Sequence, residues 1–159
     1  MSAAELLEAI AAWPLASAMR RSAILYLVVN AAHILAIALL VGAIVPLDLR
    51  LLGFFGNTSL EVLGPFLSRA AAVGLALVVV TGFCLFSVRP AAYAGNPAFL
   101  IKLVLLAVGA VNAILLQSSD AWRTVAAGGP IAGTVRLAAG ISLLVWPGAL
   151  LAGRWIGFL

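Results

Sequence analysis

The sequence predicts an all-α membrane protein: a bundle of four transmembrane helices with a short amphipathic helix lying in the interface at the N-terminus. Three observations point there. Of 159 residues, 65% are hydrophobic and 9% charged, against roughly 45–50% apolar and about 25% charged in an average soluble domain. The charges divide the chain into four long uncharged runs. No segment shows the sustained apolar–polar alternation of a membrane β-strand. One membrane domain, residues 1–159, is therefore expected, with no separate soluble unit and no internal repeat.

Residues 2–19 come first. Ser2-Ala3-Ala4-Glu5 has the spacing of a capping box, in which the serine and glutamate side chains each satisfy a backbone amide of the first turn. Leu6, Ile10 and Trp13 share one helical face, away from Glu5 and Glu8. Such a helix lies along the interface with its tryptophan at headgroup depth, and Pro14 ends or bends it. Glu5 and Glu8 precede any cation, which argues against a secretory signal.

The first span, residues 22–47, holds 26 residues without a charge, beyond the roughly 20 that a bilayer core requires. The second, 69–88, opens at Arg69 and ends before Arg89. The third, 97–118, opens with Asn96-Pro97, an N-cap followed by proline at the first helical position. Its Lys102 sits close enough to the end to snorkel. The fourth, 132–153, follows the breaker Gly128-Gly129-Pro130 and carries Trp146-Pro147-Gly148, where proline removes a backbone hydrogen bond. The longest loop falls near residues 50–68. Close helix approach is offered by Ala38-x-x-x-Gly42 and Gly109-x-x-x-Ala113, since small residues and buried hydrogen bonds drive helix association in lipid.

The formal net charge is +4, but the nine cations are spread along the chain. They read as interfacial anchors, and nothing supports nucleic-acid binding. Counted by side, Lys and Arg divide five against four and do not orient the protein. Cys84 is the single cysteine, so neither an internal disulfide nor a multi-cysteine metal site can form.

Tyr26, Asn30, His33, Thr81, Asn112 and Ser142 are polar residues within the spans. Helical rise puts His33, Thr81 and Asn112 at similar depth, which allows one polar layer across three helices. That layer either glues the helices or forms a site. A neutral His33 imidazole is a potential ligand for haem b iron or for copper. With one histidine in the chain, its partner would be His33 of a second copy, Asn112 or Gln117, with Asn30 a further cofactor-binding candidate on the same face. No Asp or Glu falls inside the uncharged runs, so the carboxylate relay of a pump is not expected. Asp48 with Arg50, and Asp120 with Arg123, read as interfacial ion pairs, with Arg136 on the same side. No catalytic constellation or phosphate loop is present.

Tyr26 to Gly53 contains His33-Ile34-Leu35 and then Pro46-Leu47-Asp48-Leu49-Arg50-Leu51-Leu52-Gly53. Together with Thr81-Gly82-Phe83, Asn96-Pro97-Ala98-Phe99 and Lys102, it resembles a family of small four-helix bacterial inner-membrane proteins of unknown function. The resemblance implies four helices, a bacterial plasma membrane and no established activity. In that family a second histidine stands near the end of the third helix. Gln117 stands there in this chain, which weighs against paired-histidine haem binding. At fold level the pattern is also similar to four-helix b-type cytochromes and copper-resistance membrane proteins. Three functions are then expected in order: a non-enzymatic membrane subunit or scaffold packing against partners or its own copies; a redox- or metal-linked protein using His33; and a small-solute conduit.

Overall fold

A computed structural model describes residues 2–158. Within them the chain forms α1 (Ala3–Ala12), α2 (Pro14–Arg21), α3 (Ala23–Leu52), α4 (Leu60–Val88), α5 (Pro90–Ala94), α6 (Pro97–Ser118), α7 (Asp120–Ala126) and α8 (Gly133–Trp155), then a 3-10 turn (Ile156–Phe158). No strand occurs among the described residues. Four helices, α3, α4, α6 and α8, are long and apolar enough to cross a membrane. Their outer faces carry Leu35, Val104 and Leu144, all exposed, as a lipid-facing surface requires.

Local chemistry sets the ends. The capping box forms: the Ser2 hydroxyl accepts from the Glu5 amide at 3.2 Å, and the Ser2 amide donates to the Glu5 carboxylate at 2.9 Å. The chain breaks at Trp13-Pro14, so the N-terminal segment is two helices rather than one. α2 buries Ala16 and Met19 against the bundle instead of only resting in the interface. Asn96 caps α6 by accepting from the Ala98 and Phe99 amides at 3.0 and 3.2 Å. Arg20 ties the N-terminal helices to the bundle, donating to the Ala11 carbonyl at 2.7 Å and the Val88 carbonyl at 3.4 Å.

Two spans outrun the charges that were expected to end them. α3 continues past residue 47, through Pro46, Asp48 and Arg50, to Leu52. It stops because Gly53 adopts φ 109°, a left-handed conformation, and returns its amide to the Arg50 and Leu49 carbonyls, a glycine cap. α4 begins at Leu60, before Glu61, Pro65 and Arg69. The expected loop at 50–68 shrinks to residues 53–59. Charge marks where a helix meets headgroups, whereas glycine and capping chemistry mark where it ends.

α3 packs on α4, α6 on α8, and α3 on α8. The spatial order is therefore α4, α3, α8, α6. Gly74 brings α4 against α3 so closely that a Cβ there would lie 2.7 Å from the Leu40 amide nitrogen. One apolar cluster, around Leu40, Ile44, Val78 and Trp146, fills the middle. A second, around Leu47, Leu51, Trp122 and Val125, fills the end near α7. The backbones of the outer helices α4 and α6 stay apart, with no Cα pair between them within 8 Å, and aromatic side chains alone join them at one end. A cleft remains between them, floored by α3 and α8.

Candidate functional site: a two-chambered interhelical cleft

The cleft divides into two chambers at Leu40 and Trp146, which border both. Each is almost fully buried, at 3% and 2% exposure. The Trp146 ring rests on Gly109, where a Cβ would come within 2.9 Å of it. A glycine at 109 is therefore what seats the barrier.

The near chamber lies at the N-terminal ends of α3 and α6. It consists of two adjoining cavities of about 410 and 260 Å³. Asn30, His33, Lys102, Gly153 and Arg154 border both. Phe86 stacks on Phe99 at 5.3 Å between ring centroids, and Tyr93 lies 5.5 Å from Phe99; these rings bridge α4 to α6 and close that end. Burial raises the Tyr93 phenol above its ordinary pKa, and neighbouring Tyr26 adds to the rise.

His33 is buried and its Nδ1 stands 2.8 Å from the Thr81 hydroxyl oxygen. That hydroxyl donates its one proton to the Leu77 carbonyl, at 2.6 Å. Thr81 must then accept from His33, so Nδ1 carries the ring proton and Nε2 the lone pair. Gly82 makes room for the ring; a Cβ there would lie 3.2 Å from Cε1. Lys102 lays its butyl stem along Gly153, and Arg154 stacks over the Phe158 ring at 5.2 Å.

The far chamber has a volume of about 200 Å³. Asp48 of α3, Ser68 of α4, Asn112 and Gln117 of α6, Trp122 of α7 and Ser142 of α8 line it among apolar side chains. Asp48 is 4% exposed. The Ser142 hydroxyl lies beside its carboxyl group, yet Oδ2 is buried with no hydrogen-bond partner among the described residues. Asn112 donates to the Ala138 carbonyl at 3.0 Å, joining α6 to α8.

Several expected groupings take another form. The single polar layer is split: Tyr26, Asn30, His33 and Thr81 lie on one side of Trp146, Asn112 and Ser142 on the other. Asp48 is not an interfacial ion-pair member, because the extra turns of α3 carry it into the bundle. Arg50 instead donates to the Thr58 and Gly56 carbonyls, at 2.8 and 3.1 Å. Arg136 borders an outer surface cavity with Arg50 and Glu61. Asp120 and Arg123 do pair, at 2.7 Å, with both side chains largely exposed, a contact worth about 0–1 kcal/mol. Asp48 lies just beyond the uncharged run 22–47, within the same helix. Lys102, Arg154, Ser68, Trp122 and Trp146 were not singled out for a site. The signal for Asp48 was the run Leu40, Ile44, Leu47, Leu51 followed by Gly53: helical periodicity up to a glycine stop.

The donor set does not suit a haem or metal centre. Asn112 and Gln117 are cut off from His33 by the Leu40–Trp146 barrier. The Nδ1 of His33 donates to Thr81, which leaves Nε2 as its single ligand atom, and no second ligand is grouped with it. No group of three or more His, Cys, Asp or Glu side chains is arranged to hold a metal ion among the described residues. Comparison of the chain with family models, with curated proteins and with solved structures finds no match.

Proposed function

We propose that this chain is a non-enzymatic multi-pass membrane protein that binds a small solute in the cleft between α4 and α6, in the bacterial inner membrane that its sequence resemblance implies. The observation that carries the reading is the separation of α4 from α6, with the polar side chains of all four spans gathered on the gap it leaves. Packing alone does not call for such a gap, since the small residues Ala71, Ala72, Ala110 and Ala113 line it and would permit closer approach. The Leu40–Trp146 barrier favours binding over open passage.

Thiol labelling tests this. In a Cys84→Ala background, Ser68→Cys and Ala113→Cys should react with a water-soluble charged thiosulfonate supplied to both faces of the membrane in nanodiscs. Val79→Cys, on the exposed outer face of α4, should not, because the reacting thiolate needs water. Cleft positions as inert as Val79→Cys would refute a solvated cleft.

A further inference from the structure

We propose that the far chamber is a binding site for a small organic ammonium ion, with the Asp48 carboxylate as its counter-charge and Trp122 and Trp146 as its aromatic walls. This rests on the solute-binding reading above and names the ligand class of one chamber.

The far chamber holds a buried carboxyl group with an unpartnered oxygen. A buried carboxylate without a partner is strongly unfavourable, and removing one member of a buried pair leaves that penalty behind. Asp48 is 4% exposed and its Oδ2 has no partner. No Lys or Arg lines the far chamber; Arg50 is engaged with the Gly56 and Thr58 carbonyls and Arg123 with Asp120. With no partner for Oδ2 among the described residues, a cation from outside the chain is what would pair with the ionised carboxylate.

The walls select its chemistry. A bare metal cation of the hard type takes six or more oxygen ligands. Here one carboxylate faces a chamber walled mainly by aliphatic and indole groups, including Leu40, Ile44, Leu47 and Leu75. Apolar walls suit the carbon substituents of an alkylammonium. Indole faces attract a cation within about 6 Å, the usual basis for recognising quaternary ammonium groups. The volume of about 200 Å³ exceeds several-fold the roughly 30 Å³ that a water occupies in the liquid, and so admits an ion of several heavy atoms. Ser68 and Ser142 add hydroxyl acceptors for N–H groups where the ion carries them.

The test uses the full chain in nanodiscs and tetramethylammonium chloride as the ligand, followed by tryptophan fluorescence and thermal unfolding. Saturable fluorescence change and a raised Tm are expected, and neither with sodium chloride at equal ionic strength. Asp48→Asn keeps the shape and removes the charge; it should weaken binding at least about tenfold, the effect of losing one close opposite charge. Trp122→Phe, which leaves Asp48 in place, should weaken it several-fold and guards against an Asp48 variant that fails to fold. Unchanged binding in Asp48→Asn, or no binding by the wild-type protein, overturns the ammonium site. If Ser68→Cys is labelled while tetramethylammonium does not bind, the inference fails and the solvated cleft stands. If Ser68→Cys is inert, the cleft reading itself fails.

Discussion

The α3–α4 contact at Gly74 gives the sharpest test of how this bundle is held. A Cβ at residue 74 would lie 2.7 Å from the Leu40 nitrogen and 2.9 Å from its Cα. These are backbone atoms in the middle of a helix and cannot rotate away. Restoring the shortest ordinary contact of 3.4 Å requires the helices to part by about 0.7 Å. A buried leucine makes roughly 40–60 atom contacts worth about 0.1–0.2 kcal/mol each, and a gap of 0.5–1 Å forfeits a quarter to a half of each well. If about half of the contacts of Leu40 face α4, Gly74→Ala loses on the order of 1–2 kcal/mol, in line with the roughly 1–3 kcal/mol typical of overpacking. Gly42→Ala is the control, since nothing lies within 4 Å of its added Cβ. There the better helix propensity of alanine, up to about 1 kcal/mol, should leave stability unchanged or raised. Reversible unfolding in mixed micelles, followed by circular dichroism, measures both. Equal stability of the two variants would refute the claim that close backbone approach at Gly74 holds α3 to α4.

Three further outcomes follow from particular contacts. Thr81→Val leaves the His33 N–H unpaired and should lower stability by about 0.6–2 kcal/mol, the range for interhelical hydrogen bonds in lipid; nitrogen-15 NMR of the wild-type imidazole should show Nδ1 protonated, and an Nε2-protonated ring would contradict the Thr81–Leu77 relay. Asn96→Ala removes the α6 cap and should cost about 1 kcal/mol, seen as faster hydrogen exchange at the Ala98 and Phe99 amides but not at mid-helix. Trp146→Leu should join the two chambers at a stability cost below the roughly 3–5 kcal/mol of truncation to alanine. In sided vesicles a reagent confined to the near side should then label Ser68→Cys, which it does not reach behind the intact indole.

The all-helical architecture and the four spans were legible because bilayer thickness and hydropathy constrain them strongly. Helix starts at Ser2 and Asn96 were legible because capping has a short sequence signature. The site was not. Treating Asp48 as the end of a span assumed that a charge cannot continue a membrane helix. Five further residues of α3 after position 47, about 7.5 Å of rise, turn an interfacial aspartate into a buried one. Depth counting placed His33, Thr81 and Asn112 at similar heights but could not say which helices adjoin. The order α4, α3, α8, α6 puts Thr81 against His33 and takes Asn112 to Ala138. That order depends on close contacts such as Gly74 with Leu40 and Gly109 with Trp146, and several other glycines in the same sequence meet nothing within 4 Å.

The charges of the two chambers bear on how a cation at Asp48 would come and go. Asp48 lies fifteen positions after His33 on α3, a separation of about 22 Å at helical rise, so no small ion touches both. At an effective dielectric of about 20, a cation roughly 4 Å from the carboxylate gains about 4 kcal/mol, while two positive charges about 22 Å away together repel it by only about 1.5 kcal/mol. Lys102 and Arg154 therefore do not prevent occupancy of the far chamber. They do stand at the other end of the cleft, behind a closed Leu40–Trp146 barrier, where an incoming cation meets positive charge with no carboxylate beside it. The ion is thus expected to enter and leave by the far mouth alone. Proteoliposomes should bind tetramethylammonium without passing it faster than protein-free vesicles; a flux that is abolished by Asp48→Asn would instead make the cleft a cation path and would require Lys102 and Arg154 to swing clear of it.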